Sequence, residues 1–420
     1  MTTQPDPVRA DGKPALPDGW RWVRLGEICV INPPRPPDLS RPEGAPTSFV
    51  PMAAVDERLG AITKAEIRPF AQLRRGYTYF EEGDVLFAKI TPCMQNGKHA
   101  IARELIDGLG FGTTEFHVLR PSSEAVAEWI HFFVRQPGVL HEATAHFTGA
   151  VGQQRVPEGF LANLGIPLPP VGEQKRIVAI LAEQMAAVER ARAAAQARIE
   201  AAKALPAAYL RAALNSPEAA RWPRKPLREI CAGPGQYGTS VKADAEGQGI
   251  PILRMGNLVE GGIRWDDLKC IRLSAAEEDK YRLAEGDILF NRTNSAELVG
   301  KTAVFDGGRN AVFASYLIRF RARRGLADPE FISAYINSGQ GRAFVAAHMG
   351  RAVGQVNISA STMHQMPIPL PPLAYQEAIV DALKKQRVVA RSARQVVEAE
   401  LAAIEALPGA ILRRAFSGEL

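Results

Sequence analysis

Cysteine is scarce and scattered in this 420-residue chain: Cys29, Cys93, Cys231 and Cys270 form no Cys-x-x-Cys pair. That spacing excludes a disulfide framework and a thiolate zinc site, and a reducing cytoplasm is the expected location. No apolar run approaches the ~20 residues that cross a bilayer, so no membrane segment is expected. The opening MTTQPDPVRADGKPALPDGW lacks the apolar core of a signal peptide. Residues 1–19, polar and proline-rich, are read as a disordered lead.

Catalytic motifs are missing as well. Asn32-Pro33-Pro34 begins like the Asn-Pro-Pro-aromatic motif of amino-methyltransferases, but Arg35 stands where a ring would stack on a flipped base. GLGFG at 108–112 has no βαβ surroundings and reads as a turn. His141 and His146 of HEATAH are five apart, which sets them about 140° apart around a helix instead of on one face. There is no phosphate loop, nucleophile elbow or nuclease-like carboxylate cluster, so neither a catalytic site nor a bound metal or cofactor is expected in this chain.

What is present is a repeat. IPLPP occurs at Ile166–Pro170 and again at Ile368–Pro372. Aligned without a gap on these copies, residues 163–216 match residues 365–418 at 21 of 54 positions, among them the ordered signatures Q..IV..L and ALP…LR. The duplication extends upstream in the same order. LGEIC at 25–29 matches LREIC at 227–231, and EGDVLF at 82–87 matches EGDILF at 285–290. Gly97-Lys98 matches Gly300-Lys301, EWI at 128–130 matches EFI at 330–332, and AVGQ recurs at 150–153 and 352–355. The chain is a tandem duplication. Its expected parts are mixed segments 20–165 and 219–367, followed by helical segments 166–218 and 368–420.

Each PLPP precedes an uninterrupted helix-favouring stretch, and its prolines suit a helix entry. Leu181, Val188, Ala195, Ala202 and Tyr209 recur every seven residues, as do Leu383, Ala390, Val397, Ile404 and Ile411. So narrow a stripe predicts a coiled-coil seam in which the two helices pack on each other. Pro206 and Pro408 are expected to break the helices after roughly 30 residues, or about 45 Å. The predicted fold class is α+β. Two mixed α/β domains, related by a pseudo-two-fold, are joined by two long antiparallel coiled-coil helices. Such a rod would separate two reading heads by about a turn of B-DNA or more.

Inside the shared frame, the polar loops differ. AKITPCMQNGKHA (88–100) offers Lys89, Thr91, Gln95, Asn96 and Lys98. NRTNSAELVGKTA (291–303) offers Asn291, Arg292, Thr293, Asn294, Ser295 and Lys301. A second cluster gives Gln153, Gln154 and Arg155 in one half and Gln355 and Asn357 in the other. Arg254 and Asn257 are further candidates, with Tyr237 and Tyr316 weaker ones. Asn and Gln suit adenine edges, Arg and Lys suit guanine edges or phosphates, and Ser and Thr serve either. A constant frame with a changed polar payload suits two non-identical DNA half-sites. The net charge of +6 and pI of about 9.2 lean the same way.

PLPPVGEQKRIVAIL, EGDILFNR and ALPGAILRRAFSGEL, set in a two-fold repeat, resemble the specificity (S) subunit of Type I restriction–modification systems. The resemblance covers nearly everything after residue 20. It implies two target recognition domains reading a split, asymmetric site in double-stranded DNA, with the paired helices setting the gap. It implies a non-catalytic chain that docks two methyltransferase (M) subunits and is joined by restriction (R) subunits. S-adenosylmethionine is then expected in the methyltransferase partner. The second copy departs from the first by having Tyr375-Gln376 where Glu173-Gln174 stands. A protein–protein scaffold with a coiled coil is the competing reading, separated from the first by salt-dependent, sequence-selective DNA binding.

Overall fold

The structure, a computed structural model, describes residues 15–150, 152–242, 249–259, 261–295, 297–352 and 355–420, the side chains of 351, 352 and 355 excepted. Most of the expected lead, residues 1–14, lies outside the described residues. The chain divides into two compact units, one running to Ala195 and completed by Ala399–Leu420, the other spanning Gln196–Glu398.

The first unit opens with β1 (Arg21–Arg24), α1 (Leu25–Ile28), β2 (Cys29–Ile31), β3 (Pro46–Val50), β4 (Val55–Asp56), β5 (Ala61–Ile62) and β6 (Glu66–Pro69). Then come α2 (Phe70–Leu73), β7 (Thr78–Glu81), β8 (Val85–Ala88), β9 (His99–Ile101), β10 (Leu109–Gly112) and β11 (Phe116–Pro121). α3 (Ala127–Val134), α4 (Pro137–Ala145), α5 (Glu158–Asn163) and β12 (Gly165–Leu168) lead into α6 (Val171–Leu214). The open sheets run β6-β3-β10-β7 and β2-β11-β8-β9, while β1 pairs antiparallel with β12. The first IPL is therefore a strand that returns to the unit's opening strand before the helix begins.

The second unit repeats this plan. It has β13 (Arg224–Pro226), α7 (Leu227–Ile230), β14 (Gln236–Tyr237), β15 (Ile250–Leu253), β16 (Leu258–Val259), β17 (Gly262–Ile263) and β18 (Lys269–Ile271). There follow α8 (Ala275–Tyr281), β19 (Asp287–Asn291), β20 (Thr293–Asn294), β21 (Thr302–Val304), β22 (Val312–Phe313) and β23 (Leu317–Arg321). α9 (Pro329–Asn337), α10 (Gly339–His348), β24 (Gly350–Ala352), β25 (Gln355–Asn357), α11 (Ala360–Met363) and β26 (Pro367–Pro369) precede α12 (Leu373–Ser417). Sheet β14-β23-β19-β21 corresponds to β2-β11-β8-β9, and β13 pairs with β26 as β1 does with β12.

The repeated EGD has a physical explanation. Asp84, almost wholly buried, accepts from Glu81 N (2.8 Å) and from Arg120 Nε and Nη2 on the paired strand β11 (2.9 and 2.8 Å). Asp287 does the same with Ala284 N (3.0 Å), Arg319 Nη1 (3.2 Å) and Arg321 Nε (2.6 Å) on β23. A buried carboxylate needs such partners, and here they pin the turn to the sheet. The strands that follow, β8 and β19, are buried throughout, so their short apolar runs face core on both sides.

Two expectations are corrected. GLGFG turns only at Gly108 (φ +71°), and Leu109–Gly112 is strand β10. Its glycines make room for a ring: a Cβ at Gly110 would lie 2.5 Å from the Phe80 side chain. The long helices also do not stop at proline. α6 continues through Pro206 for 44 residues in all and α12 through Pro408 for 45, or about 66 Å each at 1.5 Å per residue. The turns beyond each proline bury Leu210 and Leu214 in the second unit's core, and Leu412, Ala415 and Phe416 in the first unit's. Phe416 lies 4.3 Å from Trp129, centroid to centroid. Burying large apolar side chains yields about 1.5–3 kcal/mol apiece, which offsets the roughly 3 kcal/mol a helix-interior proline costs.

In the first unit the start of α6 (Ile177, Leu181) shares a core with the end of α12. In the second, the end of α6 shares one with the start of α12 (Ile379, Val380, Leu383). Within the first unit Arg176 Nη2 donates to Leu420 O (2.8 Å) and Arg192 pairs with Glu405 (3.5 Å), so the stretches of α6 and α12 in that unit run antiparallel. Leu181, Val188, Ala195, Ala202, Leu383, Ala390 and Val397 are buried, while Tyr209, Ile404 and Ile411 are half-buried. Among the described residues no helix is long and apolar enough to cross a membrane.

Candidate nucleic-acid interface

The two polar clusters of each half, far apart in sequence, meet in space. In the first unit, Ile90 and Thr148 both bridge to Arg155. Thr91 N donates to Gln154 O (3.0 Å) and Val156 N to Lys89 O (2.9 Å). In the second unit β20 pairs with β25, setting Thr293 opposite Asn357, and Ile358 N donates to Arg292 O (3.0 Å). The loop after the EGD strand and the AVGQ cluster therefore form one polar surface in each unit.

Supporting side chains set these surfaces. Arg155 forms a two-pronged ion pair with Glu115 (2.8 and 2.7 Å), whose carboxyl is held below the usual carboxylate range by that guanidinium. His117 Nε2–H donates to Val156 O (2.9 Å), and burial lowers this histidine's pKa. Its Nδ1 accepts from Asn32 Nδ2 (3.0 Å), and Asn32 Oδ1 accepts from Val118 N, so the Asn of the incomplete Asn-Pro-Pro motif is a brace. In the second unit the Arg292 guanidinium lies 4.8 Å over the Tyr237 ring, a cation–π contact. Tyr237 Oη accepts from Ala360 N (3.0 Å), Arg292 N donates to Tyr316 O (3.0 Å), and both tyrosines are partly exposed. The two weaker candidates thus flank Arg292. Asn294 Nδ2 donates to Met255 Sδ (3.0 Å), a neighbour that no sequence signal had marked.

The candidates divide by exposure. Gln95, Asn96, Gln153, Ser295 and Asn357 are exposed. Lys89, Thr91, Gln154, Arg155, Arg292, Thr293, Asn294 and Lys301 are half-buried on or beside the joined clusters. The side chain of Gln355 lies outside the described residues. Four candidates are engaged within their own unit. Asn291 is wholly buried, its Nδ2 donating to Leu298 O (3.0 Å). Asn257 is buried and bonded to Arg254 N and Arg264 O (2.9 and 3.2 Å). Lys98 Nζ is held by Val55 O and Glu57 (both 3.1 Å), and Arg254 Nη2 by Asp267 O (3.0 Å). These bonds hold all four side chains within their own unit, and the burial of Asn291 and Asn257 keeps those two from a base edge. Cys29 and Cys231 are buried thiols pushed up to about 12 by desolvation. No group of His, Cys, Asp and Glu that could hold a metal ion occurs among the described residues.

The family model for the Type I restriction modification DNA specificity domain matches residues 17–197 and again 221–387. The chain belongs to the Type I restriction–modification specificity family. The specificity domain is present twice, once for each half of the repeat. Among relatives, the Escherichia coli Type I restriction enzyme EcoEI specificity subunit is 28% identical over 478 residues, covering 90% of this chain and 79% of that protein. The HsdS subunit from Thermoanaerobacter tengcongensis has 25% identity and a TM-score of 0.60, with 96% of this chain and 98% of that chain covered. A chain from a structure described as underlying complex assembly and conformational transition of the type I R-M system has a TM-score of 0.79. At 24% identity, with 97% and 100% coverage, it shares the fold of this specificity-family chain.

Proposed function

We propose that this chain is the DNA-reading subunit of a Type I restriction–modification complex and recognises a bipartite, asymmetric site. Each unit's joined polar surface reads one half-site: the Lys89–Thr91 and Gln153–Arg155 segments in one, the Arg292–Ser295 and Asn357 segments in the other. Residues 20–165 and 219–367 act as the recognition domains, and 166–218 and 368–420 as the spacer segments whose helices set the gap. The chain performs no chemistry of its own. It docks two methyltransferase subunits, which bind S-adenosylmethionine and methylate adenine, and restriction subunits join them.

The observation that carries this reading is that two separate polar segments converge on the same frame position in both units, with different side chains in each. Two readers with a common scaffold and different specificities need that arrangement. The test is co-expression with the methyltransferase encoded beside it and mapping of N6-methyladenine across the host genome. One bipartite motif is expected, two dissimilar halves around a fixed gap. A soluble, assembled complex that adds no methylation would overturn the reading in favour of a protein scaffold.

A further inference from the structure

Gln174 and Gln376 stand at the same position of the two repeats, in the first turns of α6 and α12, and both are wholly buried. Each spends its side-chain amide on three backbone groups. Gln174 Oε1 accepts from Val126 N (2.9 Å), and its Nε2 donates to Glu124 O and Pro169 O (both 2.8 Å). Gln376 Oε1 accepts from Asp328 N (2.8 Å), and its Nε2 donates to Leu326 O (3.2 Å) and Pro371 O (2.8 Å). In both units the partners are the residues that lead into α3 or α9 and a proline of the helix entry. Leucine would fill the same volume and favour the helix as well. An amide in a dry site is tolerable only when all its bonds are made, so these bonds, and not burial, are what the position requires.

A second contact repeats farther along each helix. In the first unit the β4–β5 hairpin turn leans on α6, with Arg58 Nε 3.3 Å from Glu189. Arg135 of the same domain clasps that turn at Glu57 O and Arg58 O (2.8 and 2.7 Å). In the second unit the β16–β17 turn meets α12, and a Cβ added to Gly261 would lie 2.5 Å from Arg387 Nη2. Lys384 on α12 also pairs with Glu330 of α9 (3.8 Å). Each domain is thus fastened to its own long helix twice, at the joint and at a brace several turns on. The prolines fix φ at the joint, and the glutamine removes the remaining freedom.

We infer that Gln174 and Gln376 are positioning residues that set the angle at which each recognition domain is held on its helix, and thereby the gap length accepted between half-sites. This rests on the bipartite reading above. A rotation at the joint is magnified at the distant polar surface, so loosening it changes the spacing tolerated before it changes the bases read.

The test uses the full chain co-expressed with its methyltransferase partner. Plasmids carry both half-sites at the native gap and at gaps one or two base pairs shorter or longer. Gln174→Leu and Gln376→Leu are each expected to lower the preference for the native gap by on the order of tenfold or more, since ångström-scale misplacement costs up to about 100-fold in rate. The bases preferred in each half stay the same. Unchanged gap preference in an assembled variant overturns the inference, as does lost base preference within a half. Should the leucine variants fail to assemble, Arg58→Glu and Glu189→Arg decide. Each alone is expected to broaden the gap and the pair together to restore it, and unaltered gaps in both singles overturn the inference. A wild-type complex with no bipartite motif removes the functional reading itself. A wild-type bipartite motif with unaffected variants removes only this inference.

Discussion

Successive side chains of a strand point to opposite faces, and at the end of β19 this separates Asn291, which is turned into the core, from Arg292, stacked on Tyr237. The two should respond differently to alanine. Arg292→Ala and Asn294→Ala are expected to cost about 1–3 kcal/mol of discrimination at one half-site, seen as relaxed or lost methylation there with the other half read normally. Equal loss at both halves in a folded protein would contradict two independent readers. Asn291→Ala deletes a wholly buried side chain and the bond it donates to Leu298 O. The cavity left in the core is expected to cost on the order of 1–3 kcal/mol, so this variant should unfold at a lower temperature than Arg292→Ala.

For the long helices, the seven-residue seam was legible because it depends only on local spacing. Where they end was not. Pro206 is a local stop signal, but Leu210 and Leu214 four and eight residues later are claimed by the second unit's core, a long-range fact. GLGFG misled for a related reason: its glycines answer to the Phe80 ring, thirty residues away in sequence. With Pro206 inside the helix, the Ala202 carbonyl lacks its usual partner. Pro206→Ala should restore that bond and stabilise the second unit by about 2 kcal/mol, the helix gain less the lost restriction of the unfolded chain. Denaturant unfolding measures this. A loss of stability would mean that the packing of Leu210 and Leu214 requires the proline's bend.

At the scale of the whole chain, the duplication was readable because its frame residues serve the same physics twice: EGD pins a turn, the glutamine clamps a joint, PLPP enters a helix. The joined polar surface was legible only as two clusters per half, since their union depends on β20–β25 pairing and its counterpart at Arg155. Nothing in the spacing showed that Lys98 reaches the β4–β5 hairpin or that Asn257 is spent on its own loop. The halves differ in one further way. The first buries His99, His117 and His131, and desolvation lowers all three, His131 to about 3. Arg135 and His131 add to the effect on His99, whose Nε2 has no partner. The matching positions for His99 and His131 in the second half are Thr302 and Ser333, both buried and neither titrating in this range. That half has His364, lowered by desolvation beside Arg228. A histidine kept neutral in the fold takes up a proton on unfolding below its ordinary pKa of about 6.5. Its contribution is therefore complete above pH 6.5 and drains away as pH falls toward the folded value. At pH 5.5 a histidine held as low as His131 costs about 1 kcal/mol relative to pH 7.5. The first unit should thus lose more stability on acidification than the second. Amide hydrogen exchange at the two pH values, read separately for each unit, measures the difference. Replacing His99 and His131 with the threonine and serine of the other half should flatten the first unit's response, and equal losses in both units of the wild type would refute the account.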